Sequence, residues 1–269
     1  MEQKIKGSLL TKGFVEPLFL SKGGFGRVYR IKQEHTNRLY ACKVALGEQR
    51  VHLQREIALL QGLHHPLYPG YQTAWEAGDC SFLVMEYISG SNLEELVIRR
   101  GCFREKMVRQ IAMELATGLL LLHRKGMVFR DIKPRNILIR QDGRVKLLDF
   151  GCICAEEENN QAKVGTPGFA APEQLHLGRA GVYSDVYALG RVMQYLLLGN
   201  HPVFMADRQL PMLWKECSCE KRLKRVVELC IQSDIENRIP DMEFLIRLLQ
   251  SRKIQSNYVV VENIWKIGG

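Results

Sequence analysis

The sequence lacks a long hydrophobic run. Its longest apolar stretch, Leu115–Leu122, is interrupted by Thr117 and Gly118 and is far shorter than the roughly 20 residues that a membrane-spanning helix needs. The first residues carry scattered lysines but no continuous apolar segment and no small-residue cleavage site, so no secretory signal peptide is predicted. We therefore expect a protein without a membrane span, located in the cytoplasm.

The composition also lacks the bias that is typical of disordered chains. Hydrophobic residues make up 46% and charged residues 25% of the 269 residues, with only 9 prolines, as in ordinary folded proteins of this size. The chain is long enough to bury a sizeable core and to form one or two domains. Wholesale disorder and a disulfide-stapled mini-protein are both excluded.

The eight cysteines are not accompanied by an export signal, so reduced thiols are favoured over a disulfide framework. Two Cys-x-Cys pairs, Cys152/Cys154 and Cys217/Cys219, would in principle supply four thiolates for a metal. Structural zinc pairs usually leave two to four residues between ligands, so the spacing favours free thiols.

Acidic residues are fewer than basic ones, and the net charge is +9. This balance permits attraction to nucleic acid, anionic lipid or acidic protein segments. The basic residues are spread along the chain, and their densest cluster, Lys221–Arg225, has no interleaved aromatic residues for base stacking. A solvated helix face is favoured, and no nucleic-acid partner is expected.

Hydrophobic periodicity divides the chain into a β-rich first part of about ninety residues and a helical remainder. One helix, at about Val51–Gly62, interrupts the strands of the first part. Alternating apolar residues between turn residues predict five strands, at Phe14–Phe19, Arg27–Ile31, Leu39–Val44, Tyr71–Ala77 and Ser81–Tyr87.

Four longer helical stripes follow in the second part, at Arg104–Lys125, Ser184–Leu198, Glu220–Gln232 and Asp241–Ser251. Ser184 and Asp241 stand where N-cap residues belong. Between the first two helices, short β-like pieces at Ile137–Arg140 and Val145–Leu148 flank a turn. Tyr258–Ile267 is β-prone and unassigned.

A glycine-rich segment, Ser21–Val28, lies between the first two predicted strands. Gly23 and Gly26 would let a hairpin backbone approach a phosphate chain without Cβ clashes, although an ordinary turn is the simpler interpretation of this segment alone. Lys43 lies on the third predicted strand. Glu56 lies on the inner face of the helix, where its carboxylate would hold the Lys43 ammonium in position against phosphate oxygens.

Two further segments carry a concentration of carboxylate, amide and amine groups. Phe129–Asn136 contains Asp131 and Lys133, and the triplet Asp149–Gly151 follows a short predicted strand. In-line phosphoryl transfer requires an aspartate to accept a hydroxyl proton, hard oxygen ligands from an asparagine and a second aspartate, and a lysine for phosphate charge. The order and spacing of all these motifs together are specific.

With this signature set, residues 9–251 resemble the catalytic domain of eukaryotic-type (Hanks-type) serine/threonine protein kinases, and the compact lobes look similar to those of bacterial members. The resemblance implies an α+β, bilobal fold. The small β-rich N-lobe, with one main helix, would span about 9–86, the hinge about 86–90 and the larger, mainly helical C-lobe about 91–251. Residues 252–269 would form a short tail of unassigned role.

The resemblance also implies ATP and Mg²⁺ as cofactors, with Mn²⁺ as a substitute metal, and Met85 as the gatekeeper. It assigns catalysis to Asp131, Lys133, Lys43 and Glu56, and metal binding to Asn136 and Asp149. It assigns nucleotide binding to Leu20, Ser21, Lys22, Gly23, Gly24, Phe25, Gly26, Val28, Ala41, Lys43, Met85, Glu86, Ile88, Asn136 and Asp149. Asp185 resembles the aspartate that braces the catalytic loop, and Arg238 the partner of Glu173.

The substrate class follows from the same resemblance. Lys133 and the pair Gly165-Thr166 look like those of serine/threonine rather than tyrosine kinases, so the expected partners are proteins with Ser or Thr acceptors. The expected reaction is γ-phosphoryl transfer from Mg-ATP, with autophosphorylation included. The oligomeric state is not indicated.

The sequence departs from the family pattern at several positions. Ser21 replaces the first glycine of the loop, and Phe129 replaces the usual histidine before Arg130. Residues 151–165 contain no Ser, Thr or Tyr, so the usual phosphorylation site is missing there. One hypothesis is that a residue of the acidic run Glu156–Glu158 takes the place of that phosphate beside Arg130; the alternative is a solvated acidic patch.

Two other functions are weighed against the active kinase. A pseudokinase would bind nucleotide or partners without turnover, but it need not retain Lys43, Asp131, Asn136 and Asp149 together. A kinase-like small-molecule phosphotransferase would share the Asp-x-x-x-x-Asn spacing, but it would generally lack the segment from Gly165 to Glu173.

Overall fold

The computed structural model describes residues 2–156, 164–204 and 210–251. The fold is α+β, as the sequence predicts. In chain order the helices and strands are α1 (Glu2–Leu10), β1 (Phe14–Gly23), β2 (Gly26–Gln33), β3 (Leu39–Leu46), α2 (Gln49–Gly62), β4 (Tyr71–Ala77), β5 (Cys80–Glu86), β6 (Gly90–Asn92), α3 (Leu93–Arg100), α4 (Glu105–His123), β7 (Met127–Val128), β8 (Ile137–Arg140), β9 (Val145–Leu147), β10 (Cys154–Ala155), α5 (Pro172–Leu177), α6 (Val182–Leu198), α7 (Leu210–Glu216), α8 (Lys221–Cys230) and α9 (Met242–Gln250).

The chain divides into two compact units. The first unit contains the residues up to 92 together with residues 136–153, and the second contains residues 93–135 and those from 154 onward. Residues 136–153 join the first unit because β8 pairs with β6 and β9 in a three-stranded antiparallel sheet. This grouping brings a segment of the predicted C-lobe into the compact unit of the β-rich part.

The main sheet of the first unit has the order β1-β2-β3-β5-β4 with antiparallel neighbours. The five predicted strands are confirmed. Side chains alternate between its faces, because successive residues of a strand point to opposite sides. Tyr29, Cys42 and Phe82 point to one face and are buried in an apolar cluster. Lys43 points to the other face, where α2 lies.

The helix α1 was not predicted from the sequence. Its buried residues, Ile5 and Leu9, are fully inaccessible and join the apolar cluster of the sheet. At the start of α1, the Glu2 carboxylate accepts hydrogen bonds from Arg27 at 2.8 Å and from the Tyr29 hydroxyl at 2.9 Å. The two faces of the sheet are therefore covered by different helices, α1 on one and α2 on the other.

The second unit is mainly helical, and α4 and α6 each contribute more buried apolar residues than any other of its described helices. The helix α4 packs on α6 and α9, while α6 packs on α8. Asp241 caps α9 by accepting the Phe244 N–H at 2.8 Å, which confirms one predicted N-cap. The other, Ser184, is wrong: α6 begins at Val182 after Gly181, and the Ser184 hydroxyl lies inside the first turn.

No helix within residues 2–156, 164–204 and 210–251 is long and apolar enough to cross a membrane. The β-prone segment Tyr258–Ile267 lies outside the described residues.

Candidate active site

The glycine-rich hairpin joins β1 to β2 through Gly24 and Phe25. Gly26 has a φ of +138°, and a Cβ there would lie 2.5 Å from the carbonyl oxygen of Val44, so only glycine fits without a shift. The Phe25 ring packs against Gly151, where a Cβ would lie 2.5 Å from it, and it lies 4.9 Å from the His52 ring. The hairpin tip is thus held against α2 and against the residues after Asp149.

The predicted nucleotide-binding side chains of the sheet share one face. Val28 pairs with Lys43 across β2 and β3, and Ala41 pairs with Met85 across β3 and β5. Directly paired residues of antiparallel strands project to the same side. This face therefore combines one ammonium group with three apolar side chains, which suits a charged phosphate chain joined to an aromatic base.

The remaining predicted contacts lie around this face. Ser21 and Lys22 pair with the start of β2, and Leu20 is exposed beside a register shift in β1. Ile88 is half-buried in the connection between β5 and β6. The structure thus places all of them in the first unit.

The Lys43 ammonium lies between two carboxylates. It donates to Glu56 Oε2 at 2.7 Å and to Asp149 Oδ1 at 2.9 Å. Burial alone would lower the pKa of Lys43, but the charges of Glu56 and Asp149 outweigh it and raise that pKa. Burial raises the pKa of Glu56, and the Lys43 charge opposes that rise. Lys43 is therefore held as a cation at a fixed position.

Asn136 and Asp149 are the two oxygen donors predicted to bind a metal. The Leu148 N–H donates to the Asn136 carbonyl oxygen at 2.8 Å, which ties the two segments together. Asp149 has a left-handed φ of +64°, a strained conformation for a non-glycine residue that is typical of functional sites, and its side chain is 39% exposed.

This donor chemistry fits Mg²⁺, which prefers oxygen ligands and is commonly bound by one or two carboxylates together with substrate phosphates. Within the ranges that the structure describes, no group of three or more His, Cys, Asp or Glu residues forms a metal site. A metal held by Asp149 and Asn136 would thus depend on phosphate oxygens and water for its other ligands.

A cluster around Glu86 was not predicted from the sequence. The Glu86 carboxylate accepts from Arg140 at 3.0 Å and from Lys146 at 2.7 Å, and Lys146 also donates to the Tyr68 carbonyl oxygen at 3.0 Å. Because the Glu86 N–H donates to the Gly70 carbonyl oxygen, it is not free to meet an adenine. A sequence feature that could have indicated this cluster is Lys146, because it is a lysine between two apolar residues of a short strand.

In the second unit, Asp131 forms a closed triangle of hydrogen bonds. Lys133 Nζ donates to Asp131 Oδ2 at 2.7 Å and to Thr166 Oγ1 at 3.0 Å, while the Thr166 hydroxyl donates to Asp131 Oδ1 at 2.8 Å. Arg130, directly before Asp131, has a φ of +68°. Thr166 was singled out only as a marker of substrate class, and its contact with Asp131 is an addition from the structure.

The backbone before Asp131 is held by a buried aspartate. Asp185 accepts the N–H groups of Phe129 and Arg130 at 2.8 and 2.9 Å, and it lies 2.8 Å from His123 Nε2. Its side chain has no exposed area. Three hydrogen bonds to one carboxylate fix the strained Arg130 and therefore orient Asp131.

A second buried network joins α5 to the segment before α9. Arg238 donates to both Glu173 oxygens, at 2.7 and 3.0 Å, and the Ser184 hydroxyl donates to Glu173 Oε1 at 2.7 Å. Burial alone would raise the pKa of Glu173, but these hydrogen bonds lower it below its ordinary value. Gln174 donates to the Arg130 carbonyl oxygen at 2.6 Å, which links this network to the segment that carries Asp131.

The acidic run is only partly described. The Glu156 carboxylate accepts the Val182 N–H at 3.3 Å, while Glu157 and Glu158 lie outside the described residues. The replacement of a loop phosphate by one of these glutamates stays a prediction.

Comparison with known proteins matches residues 17–253 to the protein kinase domain. The human RAC-beta serine/threonine-protein kinase is 32% identical over 216 residues, which cover 77% of this chain and 45% of that protein. Serine/threonine-protein kinase PknL of Mycobacterium tuberculosis is 32% identical over 226 residues, or 80% of this chain and 56% of PknL.

The cytokinesis protein sepH of Aspergillus terreus is 35% identical over 188 residues, which cover 69% of this chain and 14% of sepH. The chain thus spans about half the length, or less, of the curated relatives that it matches. The match at residues 17–253 contains the glycine-rich hairpin, the Lys43 cluster and the Asp131 triangle, and the chain belongs to the protein kinase family.

Proposed function

We propose that this chain is the catalytic domain of a serine/threonine protein kinase, which transfers the γ-phosphoryl group of Mg-ATP to Ser and Thr hydroxyls of proteins, its own included. The observation that carries the proposal is Lys43, held between the buried Glu56 and the half-exposed Asp149. The names of the relatives, two of which are serine/threonine-protein kinases, support it.

The first unit supplies nucleotide binding in this proposal. Lys43 binds phosphate oxygens with its ammonium, and Glu56 keeps that ammonium in place. Asp149 and Asn136 hold Mg²⁺, or Mn²⁺ in its place, and the bound metal neutralises phosphate charge. The glycine-rich hairpin covers the phosphates with its backbone N–H groups, while Val28, Ala41 and Met85 contact the base.

The second unit supplies the acceptor chemistry. Asp131 orients the acceptor hydroxyl and takes its proton as the oxygen attacks. Lys133, already 2.7 Å from Asp131, stabilises negative charge on the transferring group. Thr166 accepts a hydrogen bond from Lys133 and donates one to Asp131, so it positions both groups.

The test measures intact mass of the purified chain before and after Mg-ATP, with a generic protein substrate present. The wild type should gain phosphate or label the substrate, on Ser and Thr in phosphoamino-acid analysis. Asp131→Asn should lose about 10²–10⁴-fold in rate, the usual contribution of a general base. Asp79→Asn, a change at an exposed carboxylate, should react as the wild type does.

Two outcomes would overturn the proposal. An inactive wild type whose melting temperature still rises with nucleotide is a pseudokinase. Label on tyrosine alone would remove the serine/threonine assignment.

A further inference from the structure

The helix α2 has few apolar residues with which to fix its position on the sheet. Within α2, all of which the structure describes, only Leu53 and Leu60 of the apolar side chains are buried. Its N-cap residue, Glu48, makes no side-chain hydrogen bond to the first turn. The position of α2 therefore depends on its polar contacts as well as on apolar packing.

One residue of the first turn of α2, Arg50, contacts two strands at once. Its Nη2 donates to Glu76 Oε2 on β4 at 2.8 Å, and its Nε donates to the Ser81 hydroxyl on β5 at 3.2 Å. The Ser81 hydroxyl in turn donates to Glu76 Oε1 at 3.2 Å. Gln54, about one helical turn after Arg50, also donates to Glu76 Oε1, at 2.7 Å. We call these four residues the Arg50 cluster.

The Arg50 cluster is held by burial and by charge. Ser81 has no exposed area, and it faces Glu76 directly across the pairing of β4 with β5. Hydrogen bonds from Arg50, Gln54 and Ser81 lower the pKa of Glu76, so its carboxylate is ionised at neutral pH. A network of this kind keeps its members in one geometry, which an isolated surface ion pair does only weakly.

The Arg50 cluster lies near Lys43 on the same face of the sheet. Ser81 and Leu83 of β5 point to one side, because they are two residues apart on a strand, and Leu83 pairs directly with Lys43 of β3. Glu56, which binds Lys43 at 2.7 Å, lies about 9 Å further along α2 than Arg50. The helix is thus attached to this face at two points, at Arg50 and at Glu56.

We propose that Arg50 is a positioning residue: through Glu76 and Ser81 it holds α2 in the orientation that keeps the Glu56 carboxylate on the Lys43 ammonium. This inference rests on the proposed function, in which Lys43 binds phosphate. Residues 151–165 contain no hydroxyl side chain that could be phosphorylated. An orientation of α2 that is set by contacts within the first unit suits a kinase without such a phosphate.

The test compares kcat/KM for ATP of the full chain with that of Arg50→Met. The Arg50 side chain is 29% exposed, so its loss should lower the melting temperature by no more than about 3 °C. A misplaced Glu56, in contrast, should lower kcat/KM about ten-fold. Glu76→Gln should give the same loss, because it removes the charge that holds Arg50. Arg144→Met, at an exposed arginine between β8 and β9, is the control and should leave kcat/KM within about two-fold of the wild type.

Two further variants separate positioning from stability. In a Glu56→Gln background, Arg50→Met should cause no further loss of kcat/KM, because the group through which Arg50 acts has already lost its charge. Arg50→Lys, which keeps a cation beside Glu76, should recover most of the activity that Arg50→Met loses. A wild-type kcat/KM in Arg50→Met would overturn the proposal, and so would a ten-fold loss that persists in the Glu56→Gln background.

Hydrogen exchange of backbone amides follows the position of α2 without any need for activity. Arg50→Met should speed exchange in α2 and leave the rates in α4, a helix of the second unit, at their wild-type values. An active wild type with unchanged exchange in the α2 of Arg50→Met would overturn this inference alone. An inactive wild type would overturn the proposed function, and this inference with it.

Discussion

Each compact unit contains a buried ion pair between a basic residue and a glutamate, and the two pairs differ in what else they bind. In the first unit, Lys43 is shared between Glu56 and Asp149, whose side chain is 39% exposed. In the second unit, Arg238 donates to both Glu173 oxygens and to three backbone carbonyl oxygens.

In the first network, the Asp149 carboxylate is therefore accessible to a ligand. In the second network, the Arg238 guanidinium is hydrogen-bonded to other groups of the protein. The same chemistry, a buried cation with a glutamate, serves the proposed phosphate binding in one case and the stability of the fold in the other. Both pairs are buried, so burial does not distinguish them. The difference is that the Lys43–Glu56 pair has an accessible third partner, Asp149.

The largest expected effect is on turnover, from Lys43→Met. Because Lys43 is the cation that faces phosphate in the proposed function, its loss should lower kcat/KM about 10³-fold, as for removal of one transition-state-stabilising group. A steady-state kinase assay measures this change. Lys32→Met, which removes a cation from an exposed pair on the same sheet, is the control and should leave the rate within about two-fold.

The second effect is on stability, from Arg238→Met. Removal of one partner from a buried pair leaves an uncompensated charge and costs about 3–5 kcal/mol of the free energy of unfolding, measured by urea denaturation. Arg247→Met, at a side chain that is 65% exposed, should cost less than about 0.5 kcal/mol. If Arg238→Met unfolds at the wild-type urea concentration, the contrast between the two pairs is wrong.

A third change tests how much the contact between α1 and the sheet contributes to the stability of the first unit. Ile5→Ala removes apolar volume between α1 and the sheet and should cost about 2–3 kcal/mol. The matched variant Leu10→Ala changes a residue of the same helix that is 60% exposed. Equal melting temperatures for both variants would mean that α1 contributes little to the unit.

A fourth change separates binding from chemistry within the first unit. Lys146→Met removes one of the two cations that bind the Glu86 carboxylate and leaves only Arg140. Because the Glu86 backbone borders the proposed adenine contacts, KM for ATP should rise about ten-fold, or about 1.4 kcal/mol, while kcat changes little. Lys12→Met, at an exposed lysine, is the control. A fall in kcat with KM unchanged would contradict a positioning role for Lys146.

The smallest effect is a pH dependence of the second network. The pKa of Glu173 is lowered below its ordinary value of 4.5, so the carboxylate stays ionised to a lower pH in the folded protein than in the unfolded chain. Its stabilising contribution is therefore complete above that value and is lost as pH falls through the folded pKa. Urea denaturation between pH 6 and about pH 3 should show a shallower loss of stability in Glu173→Gln than in the wild type.

Sequence patterns predicted the elements whose side chains alternate strictly or repeat with a helical period. The five strands of the main sheet follow from alternation, and Asp241 follows from cap chemistry. The helix α1 escaped prediction because only Ile5 and Leu9 of its nine residues are buried, too few to form a recognisable stripe. Ser184 was misplaced because the N-cap position belongs to Gly181, three residues earlier; the Ser184 hydroxyl accepts the Gly181 N–H from inside the first turn and donates to Glu173.

The candidate site was predictable where motifs are short and ordered along the chain. Lys43, Asp131 and Asp149 all stand in such motifs. The contact of Glu86 with Lys146 was not predictable, because 60 residues separate them and neither belongs to a pattern that implies the other. The two residues lie on strands of different sheets, so their contact depends on how the sheets of the first unit pack, which the local sequence does not encode.

The docked hairpin tip has a kinetic consequence. Phe25 rests on Gly151 and against His52, and the Gly24 carbonyl oxygen accepts a hydrogen bond from Gln49 at 2.8 Å. In the proposed function, a nucleotide beneath this hairpin would leave only after these contacts break, so the opening of the tip would contribute to its dwell time as well as its own affinity. Product release would then require the same opening of the tip in every turnover.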